Sequence, residues 1–223
     1  MKYQIFSENQ WIYPDTQIDD INGKRSPDLH APRGSDVCFQ ILTDLPLDGG
    51  ESITYSLNIP NCSMVLYQLL PGHVGRNSAP TTYTTDNYDS VKHFVTRQAP
   101  FDVYEVTMPL DSGILEKGRC ALFARLNVQF NAVPGEYSEI LTVKVADTSI
   151  EIPVNLKVYQ TSVPSLENAN FHMVNWIYYD LLASQHGVEV YSDEYFDILR
   201  EYLLNQLGHG YKTLDFYKTV SRL

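Results

Sequence analysis

The chain has 223 residues, and its 27 acidic residues against 16 basic ones give a formal net charge of −11. Such a charge repels the phosphate backbone of nucleic acids and anionic lipid surfaces, so we expect neither nucleic acid nor a membrane as a partner. The sequence has no stretch of about 18 apolar residues, the length that indicates a membrane span, and its start lacks the apolar run of a signal peptide. These features predict a cytoplasmic protein.

Three cysteines, Cys38, Cys62 and Cys120, cannot all pair within one chain, and none lies in a CxxC or CxxH spacing. Each falls in an apolar run, which favours reduced, buried thiols. The histidines show no HExxH spacing either. We therefore expect no metal site and no cofactor.

Seven segments have the apolar alternation and the β-branched or aromatic content that predict strands. They are residues 36–42, 52–59, 64–70, 101–108, 120–130, 137–147 and 149–159. The spacings are too short for intervening helices, so antiparallel pairing is expected. About seven or eight short strands of this kind predict a mainly β fold, an antiparallel β-sandwich.

The clearest strand is residues 149–159, in which every even-numbered residue from 150 to 158 is Ile, Val or Leu. Because Pro153 has no N–H to donate to a ladder, we expect this strand at a sheet edge or with a bulge. In the turn before residues 137–147, Pro134 and Gly135 suit the two central positions of a type II turn.

Residues 71–94 are polar, rich in turn formers and too long for a hairpin. They predict either an ordered arm or a mobile loop. His73, Arg76 and Asn77 could reach a neighbouring cleft from this loop, and a plain surface loop is the alternative. Arg76 is retained as a candidate substrate-binding residue.

The alternation stops at residues 160–170, where Pro164 interrupts the chain, and we predict a domain boundary between residues 1–163 and 164–223. A helix follows, with Ser192 as its N-cap and Gly208 just past its end. Seven of its residues fall on one face: Tyr195, Phe196, Ile198, Leu199, Tyr202, Leu203 and Leu207. This apolar face requires a partner surface.

The second domain begins with a short apolar run at 171–179 and a polar turn before the helix, and another short strand is possible within 211–217. This order is typical of a β/α repeat. A closed barrel of eight such units needs about 250 residues. We therefore expect a short β/α segment that is the start of a truncated (β/α)8 barrel.

The stretches "VPGEYSEILTV", "IEIPVNLKVY", "VPSL" and "FHMVNW" precede "HGVEVYSDEYFDILREYLLNQLGHGYKT". Together they resemble glycoside hydrolase family 123 and its relatives, whose members have an N-terminal β-sandwich and a catalytic (β/α)8 barrel. The last stretch is the most specific, since it is similar to the family's first barrel strand and helix. The resemblance covers most of residues 30–215.

The resemblance implies a glycosidase of carbohydrate metabolism that removes β-linked N-acetylgalactosamine with the substrate's own acetamido oxygen as nucleophile. The Asp-Glu pair that assists this reaction lies farther along the family's barrel, and no position of this chain matches it. We therefore expect no catalytic residue here, an inactive fragment, and the remainder of a barrel beyond residue 223. Carbohydrate would be a partner of the complete protein.

His172, Asn175 and Trp176 would lie at the C-terminal end of the first barrel strand, the face where such barrels keep their sites. They are candidate substrate-binding residues. Trp176 could stack on a sugar ring or fill the junction between sandwich and barrel.

Two alternatives remain open. The chain could be a self-standing carbohydrate-binding sandwich whose exposed aromatic residues, Trp11, Tyr13, Tyr83 and Tyr88, bind the sugar. It could also be a structural module whose apolar helix face meets another chain.

Overall fold

The structure is a computed structural model that describes residues 1–78, 84–85, 89, 92–165, 174–175, 179–210 and 213–214. The chain divides into two compact units, Met1–Val163 and Pro164–Leu223. The fold is mainly β, with antiparallel sheets followed by a small helical segment, which confirms the predicted fold class.

The first unit consists of strands joined by short turns and by longer segments such as residues 8–27. In chain order the strands are β1 (Tyr3–Ser7), β2 (Asp28–Arg33), β3 (Ser35–Leu47), β4 (Ile53–Ser56), β5 (Cys62–Val74), β6 (Asn77–Ser78), β7 (Thr84–Thr85), β8 (Phe101–Pro109), β9 (Gly118–Val128), β10 (Gly135–Val145) and β11 (Thr148–Ser162).

Two sheets form the sandwich. One has the order β1-β3-β9-β5-β8, and the other has the order β2-β11-β10-β4. Their neighbouring strands run antiparallel, except that β2 runs parallel to β11. Strands β6 and β7 form a separate antiparallel pair. β1 and β2 were not predicted, because both are short and each pairs with a strand distant in sequence.

The core lies between the sheets and follows the predicted alternation. In β11 the even-numbered residues from Ile150 to Val158 are at most 6% exposed, whereas the residues between them face water. Phe39 of β3 and Leu122 of β9 belong to the same buried cluster. Burying a side chain of this size contributes about 1.5–3 kcal/mol, so the alternating set explains why the two sheets associate.

The strand containing Pro153 was predicted to lie at a sheet edge or to carry a bulge there. It is not an edge strand, because β2 and β10 flank β11, and its register shift against β2 lies between Tyr159 and Ser162 rather than at Pro153. Pro153 pairs with Ile140 of β10, and its carbonyl accepts a hydrogen bond from Ser26 Oγ at 2.7 Å. The nitrogen of a strand residue points to the same side as its carbonyl oxygen. On that side β2 does not yet pair with β11, because the first pair of the two strands is Asp28 with Asn155. Pro153 therefore removes no hydrogen bond from a ladder.

The predicted type II turn at Pro134-Gly135 was also wrong. Gly135 is the first residue of β10 and does not adopt the positive φ that the turn requires. The corner is held instead by the Tyr137 hydroxyl, which donates to the Val133 carbonyl at 2.7 Å. This contact resembles the tyrosine corner of other sandwiches.

The three cysteine thiols are free, but only Cys120 is buried. Cys38 and Cys62 are half-buried, contrary to the expectation of burial for all three. Burial raises the pKa of the Cys38 and Cys120 thiols to about 11. These thiols are therefore protonated, and weak nucleophiles, at neutral pH.

The second unit contains β12 (Val174–Asn175), α1 (Tyr179–His186), α2 (Asp193–Gly208) and β13 (Thr213–Leu214). β12 precedes the two helices and β13 follows them, and these two strands pair in parallel. The predicted helix is α2, and Ser192 caps it as expected, with Tyr195 N donating to Ser192 Oγ at 3.2 Å. α1 was missed, because its two turns occupy a stretch that was interpreted as a polar turn.

The predicted apolar face of α2 is only partly covered. Tyr195 is buried, in a small cluster with Leu182 and Ala183. Phe196 is 52% exposed and Leu207 is 59% exposed. The α2 helix therefore leaves a large part of its apolar surface in water.

Candidate functional site

A cleft of the first unit lies where β5 ends and β8 begins, at the pair Val74 and Phe101. We call it the Trp11 cleft. It has a volume of about 300 Å³. The side chains that matter for its chemistry are Trp11, Tyr13, Arg76, Phe94, Arg97 and Glu105.

Aromatic side chains form the apolar part of the Trp11 cleft. Trp11 is 58% exposed and Phe94 is 67% exposed, so both offer large faces to solvent. Tyr13 packs edge-on against Phe101, with ring centroids 5.7 Å apart. Two exposed aromatic rings on one concave surface are unusual, because isolated apolar side chains are the normal pattern at protein surfaces.

The segment that carries Trp11 and Tyr13 is anchored between them by Ile12. This residue is fully buried with Leu42 and Tyr104. Its carbonyl accepts a hydrogen bond from the Tyr104 amide at 2.9 Å. A buried side chain and a backbone bond together hold the neighbouring aromatic residues in place.

Two polar side chains of the sheet extend this anchoring. Arg119 Nη1 donates to the carbonyls of Pro14 and Thr16, at 3.2 and 2.6 Å. Gln40, 4% exposed, donates through Nε2 to the carbonyls of Ser7 and Gln10 at 2.7 and 2.8 Å. The segment before β2 is therefore tied to the sheet along its first half.

Arg97 and Asp15 form a bidentate ion pair at the Trp11 cleft. Arg97 Nη1 lies 2.8 Å from Asp15 Oδ1, and Nη2 lies 2.5 Å from Oδ2. The guanidinium carbon is also 4.6 Å from the centre of the Tyr13 ring, within the range of a cation–π contact. Hydrogen bonds from Arg97 lower the pKa of the Asp15 carboxyl, so the pair stays ionised at neutral pH.

Asn77 fixes the backbone on the other side of the cleft. It is 7% exposed, its Nδ2 donates to the Arg97 carbonyl and its Oδ1 accepts from the Ala99 amide, both at 2.9 Å. Both polar ends of a buried amide are thus satisfied by one loop. Asn77 therefore positions Arg97 rather than facing a ligand.

The structure extends the strand into the loop that was predicted at 71–94, since β5 runs to Val74. His73 lies on this strand, and its Nδ1 is 2.8 Å from Asp102 Oδ1. Arg76 lines the Trp11 cleft. The loop prediction was therefore wrong for its first residues, which pair with β8.

The other predicted site residues belong to the second unit. His172 and Trp176 lie outside the described residues, as do Tyr83 and Tyr88 of the alternative hypothesis. Asn175 lies in β12, where only its backbone is described. Their role in substrate binding stays a prediction.

Sequence reasoning named Trp11, Tyr13 and Arg76 but missed Phe94, Arg97 and Glu105. No local pattern marks these three, because they meet Trp11 and Tyr13 from far along the chain, as Arg97 meets Tyr13 across more than eighty positions. The clue available was the excess of aromatic residues in otherwise polar segments.

Within the described part of the chain, no group of three or more His, Cys, Asp or Glu side chains is arranged to hold a metal ion. In the same residues, no helix has the length and apolarity needed to cross a membrane.

Comparison with solved structures gives a match over nearly the whole length of the chain. A family 123 glycoside hydrolase from Clostridium perfringens, described for glycolipid glycan hydrolysis, matches with a TM-score of 0.63 at 15% identity. The match covers 96% of this chain and 37% of the enzyme. At this identity the comparison establishes a shared fold, and this chain spans only 37% of the enzyme's length.

A second structure, domains 4 and 5 of the S-layer protein SbsC, matches at 10% identity over 58% of this chain and 47% of its own. Its TM-score of 0.28 is too low to indicate a common fold. Neither family models nor curated proteins match this sequence.

Proposed function

We propose that this chain is the non-catalytic N-terminal region of a glycoside hydrolase related to the β-N-acetylgalactosaminidases of family 123. Residues 1–163 would brace the catalytic domain, and residues 164–223 would be the start of its (β/α)8 barrel. The complete protein would bind carbohydrate and remove β-linked N-acetylgalactosamine.

The fold likeness to the clostridial enzyme carries this proposal. Residues 1–163 make up less than three quarters of the chain, whereas the match covers 96% of it. The match therefore includes most of the second unit as well as the sandwich. A sandwich alone would support an accessory domain of many kinds, but the added segment makes a hydrolase of this architecture the better explanation.

Two features of the second unit support a barrel start. β12 and β13 pair in parallel with helices between them, as consecutive strands of a β/α repeat do. The α2 helix also exposes Phe196, Tyr202 and Leu207. Further strands and helices of a barrel would cover such a face and gain about 1.5–3 kcal/mol for each large side chain buried.

Within this proposal, Trp176, Asn175, His172 and Arg76 contact substrate in the complete protein. None of them supplies the acid that protonates a leaving group. The chain should therefore not hydrolyse 4-nitrophenyl N-acetyl-β-galactosaminide. Turnover of that substrate by the purified chain would contradict the non-catalytic assignment.

Hydrogen exchange tests the barrel assignment independently of activity. We expect the amides of α2 to exchange much faster than those of β9 and β11, or the chain to self-associate through α2. Phe196→Asp with Leu207→Asp, both at exposed positions of α2, should abolish any such association. A clean monomer in which α2 is protected as strongly as β11 would show that the second unit is complete by itself and would contradict the proposal.

A further inference from the structure

We infer that the Trp11 cleft is a binding site for an uncharged saccharide, formed by the sandwich alone. The inference does not depend on the hydrolase assignment, because every residue that carries it lies in the first unit. The site would hold the end of a glycan chain on the sandwich.

The exposed aromatic faces of Trp11 and Phe94 are the first argument. A pyranose ring has a face of C–H groups that packs on the electron-rich face of an aromatic ring, while its hydroxyl groups remain at the edge. The two rings are 58% and 67% exposed and line the same concavity. Such a pair can hold a sugar ring without a deep pocket.

The charge balance at the cleft favours an uncharged ligand. Arg97 is neutralised by Asp15 through two hydrogen bonds, and the other two charged side chains among the described lining residues, Arg76 and Glu105, have opposite signs. A phosphate or carboxylate ligand would meet no net positive field, and the whole chain carries a charge of −11. The hydroxyl groups of a sugar both donate and accept hydrogen bonds, so they suit a cleft that has charged groups of both signs.

The Glu105 carboxylate lies close to the strand beside it. Gly72 pairs with Val103, and a Cβ atom at Gly72 would lie 2.6 Å from Glu105 Oε1. The carboxylate therefore lies over the β5 backbone at the cleft, where it can accept hydrogen bonds from sugar hydroxyls.

The cleft is also preformed, which reduces the entropy cost of binding. Ile12 and Arg119 anchor the segment that carries Trp11, and Asn77 fixes the loop that carries Arg97. The volume of about 300 Å³ is at the small end of the range for ligand sites, roughly 300–1,000 Å³. A mono- or disaccharide fits this size better than a long chain.

Saturation-transfer NMR and calorimetry with the whole chain test the inference. The probes are lactose and the methyl β-glycosides of glucose, galactose and N-acetylgalactosamine. We expect at least one of them to bind, Trp11→Ala to weaken its binding by about tenfold or more, and Phe94→Ala to weaken it several-fold. Glu105→Gln, which keeps the side-chain shape, should also weaken it.

Phe130→Ala is the matched control, since Phe130 is a 51% exposed phenylalanine that is not part of the cleft. It should bind the sugar as the unmodified chain does, and circular dichroism should show that each variant remains folded. The inference is overturned if no probe binds, or if Trp11→Ala binds as well as the unmodified chain. It is also overturned if a proline-rich peptide, and no sugar, binds at Trp11. None of these results bears on hydrogen exchange in α2, so the two proposals can fail separately.

Discussion

The two units of this chain differ in how completely they bury their apolar residues. In the sandwich, Leu122, Leu126 and Ile152 are at most 1% exposed, within one cluster contributed by both sheets. In the second unit the described buried cluster is small, and six large apolar or aromatic side chains on or next to its helices are 44–59% exposed. Those exposed side chains are Leu181, Tyr191, Phe196, Tyr202, Leu204 and Leu207.

The difference shows that strands with alternating apolar residues can form a closed core within one unit. Two sheets each have one apolar face, and each covers the other. In the described part of the second unit, two helices and two strands of two residues each bury only the small cluster around Tyr195.

The largest expected effect is in the sandwich core. Leu122→Ala should lower the free energy of unfolding by about 2–5 kcal/mol, since a fully buried side chain would leave a cavity. Urea denaturation followed by circular dichroism measures this. Ile140→Ala, at a 47% exposed position, should cost less than about 1 kcal/mol. Equal losses for the two variants would contradict the assignment of the core.

Leu182→Ala extends the same test to the second unit. Leu182 is 6% exposed and packs in the small cluster with Tyr195. Its loss should increase amide exchange in α1 and α2 while the urea transition of the sandwich stays unchanged. A shift of the sandwich transition would mean that the two units unfold together.

An intermediate effect is expected for the buried amide beside the Trp11 cleft. Asn77→Ala removes two hydrogen bonds and leaves the Arg97 carbonyl and the Ala99 amide unsatisfied, so it should cost about 1–3 kcal/mol. Asn127→Ala is the control, because Asn127 donates only to the solvent-accessible Asp36 carboxylate. If the two variants are equally stable in urea denaturation, Asn77 does not fix the cleft.

A smaller effect is expected at the start of α2. Ser192→Ala removes the oxygen that accepts the Tyr195 amide and should destabilise the helix by about 1 kcal/mol. Hydrogen exchange across residues 195–208 measures the change. Ser184→Ala, at an exposed position within α1, should leave that exchange unchanged. Unaltered exchange in the Ser192 variant would mean that tertiary contacts, rather than the cap, hold the first turn.

The smallest effect is expected on the uncovered face of α2. Leu207 is 59% exposed, so Leu207→Lys should change the free energy of unfolding of the monomer by no more than about 0.5 kcal/mol. Leu199→Lys, at a half-buried position that packs on the cluster, should cost more. A large loss for Leu207→Lys, measured at a concentration where the chain is monomeric, would show that this face is covered.

The sequence by itself determined the strands with clear alternation and the capped helix. Apolar residues at every second position assign a strand and its buried face, as in residues 149–159, and Ser192 marks where a helix begins. These signals are local, because side-chain direction and capping depend on residues only a few positions apart. Even there, tertiary pairing decided that the strand containing Pro153 has a neighbour on each side and that Gly135 starts a strand.

Only the tertiary structure decided which strands are neighbours and which side chains meet at the Trp11 cleft. Alternation assigns a face but not a partner, so the parallel pairing of β2 with β11 and the position of β5 between β9 and β8 could not be predicted. Arg97 reaches Asp15 and Tyr13 because β8 joins the sheet beside the segment anchored by Ile12. Contacts between residues this far apart in sequence arise from the packing of the whole sandwich, which no local pattern encodes.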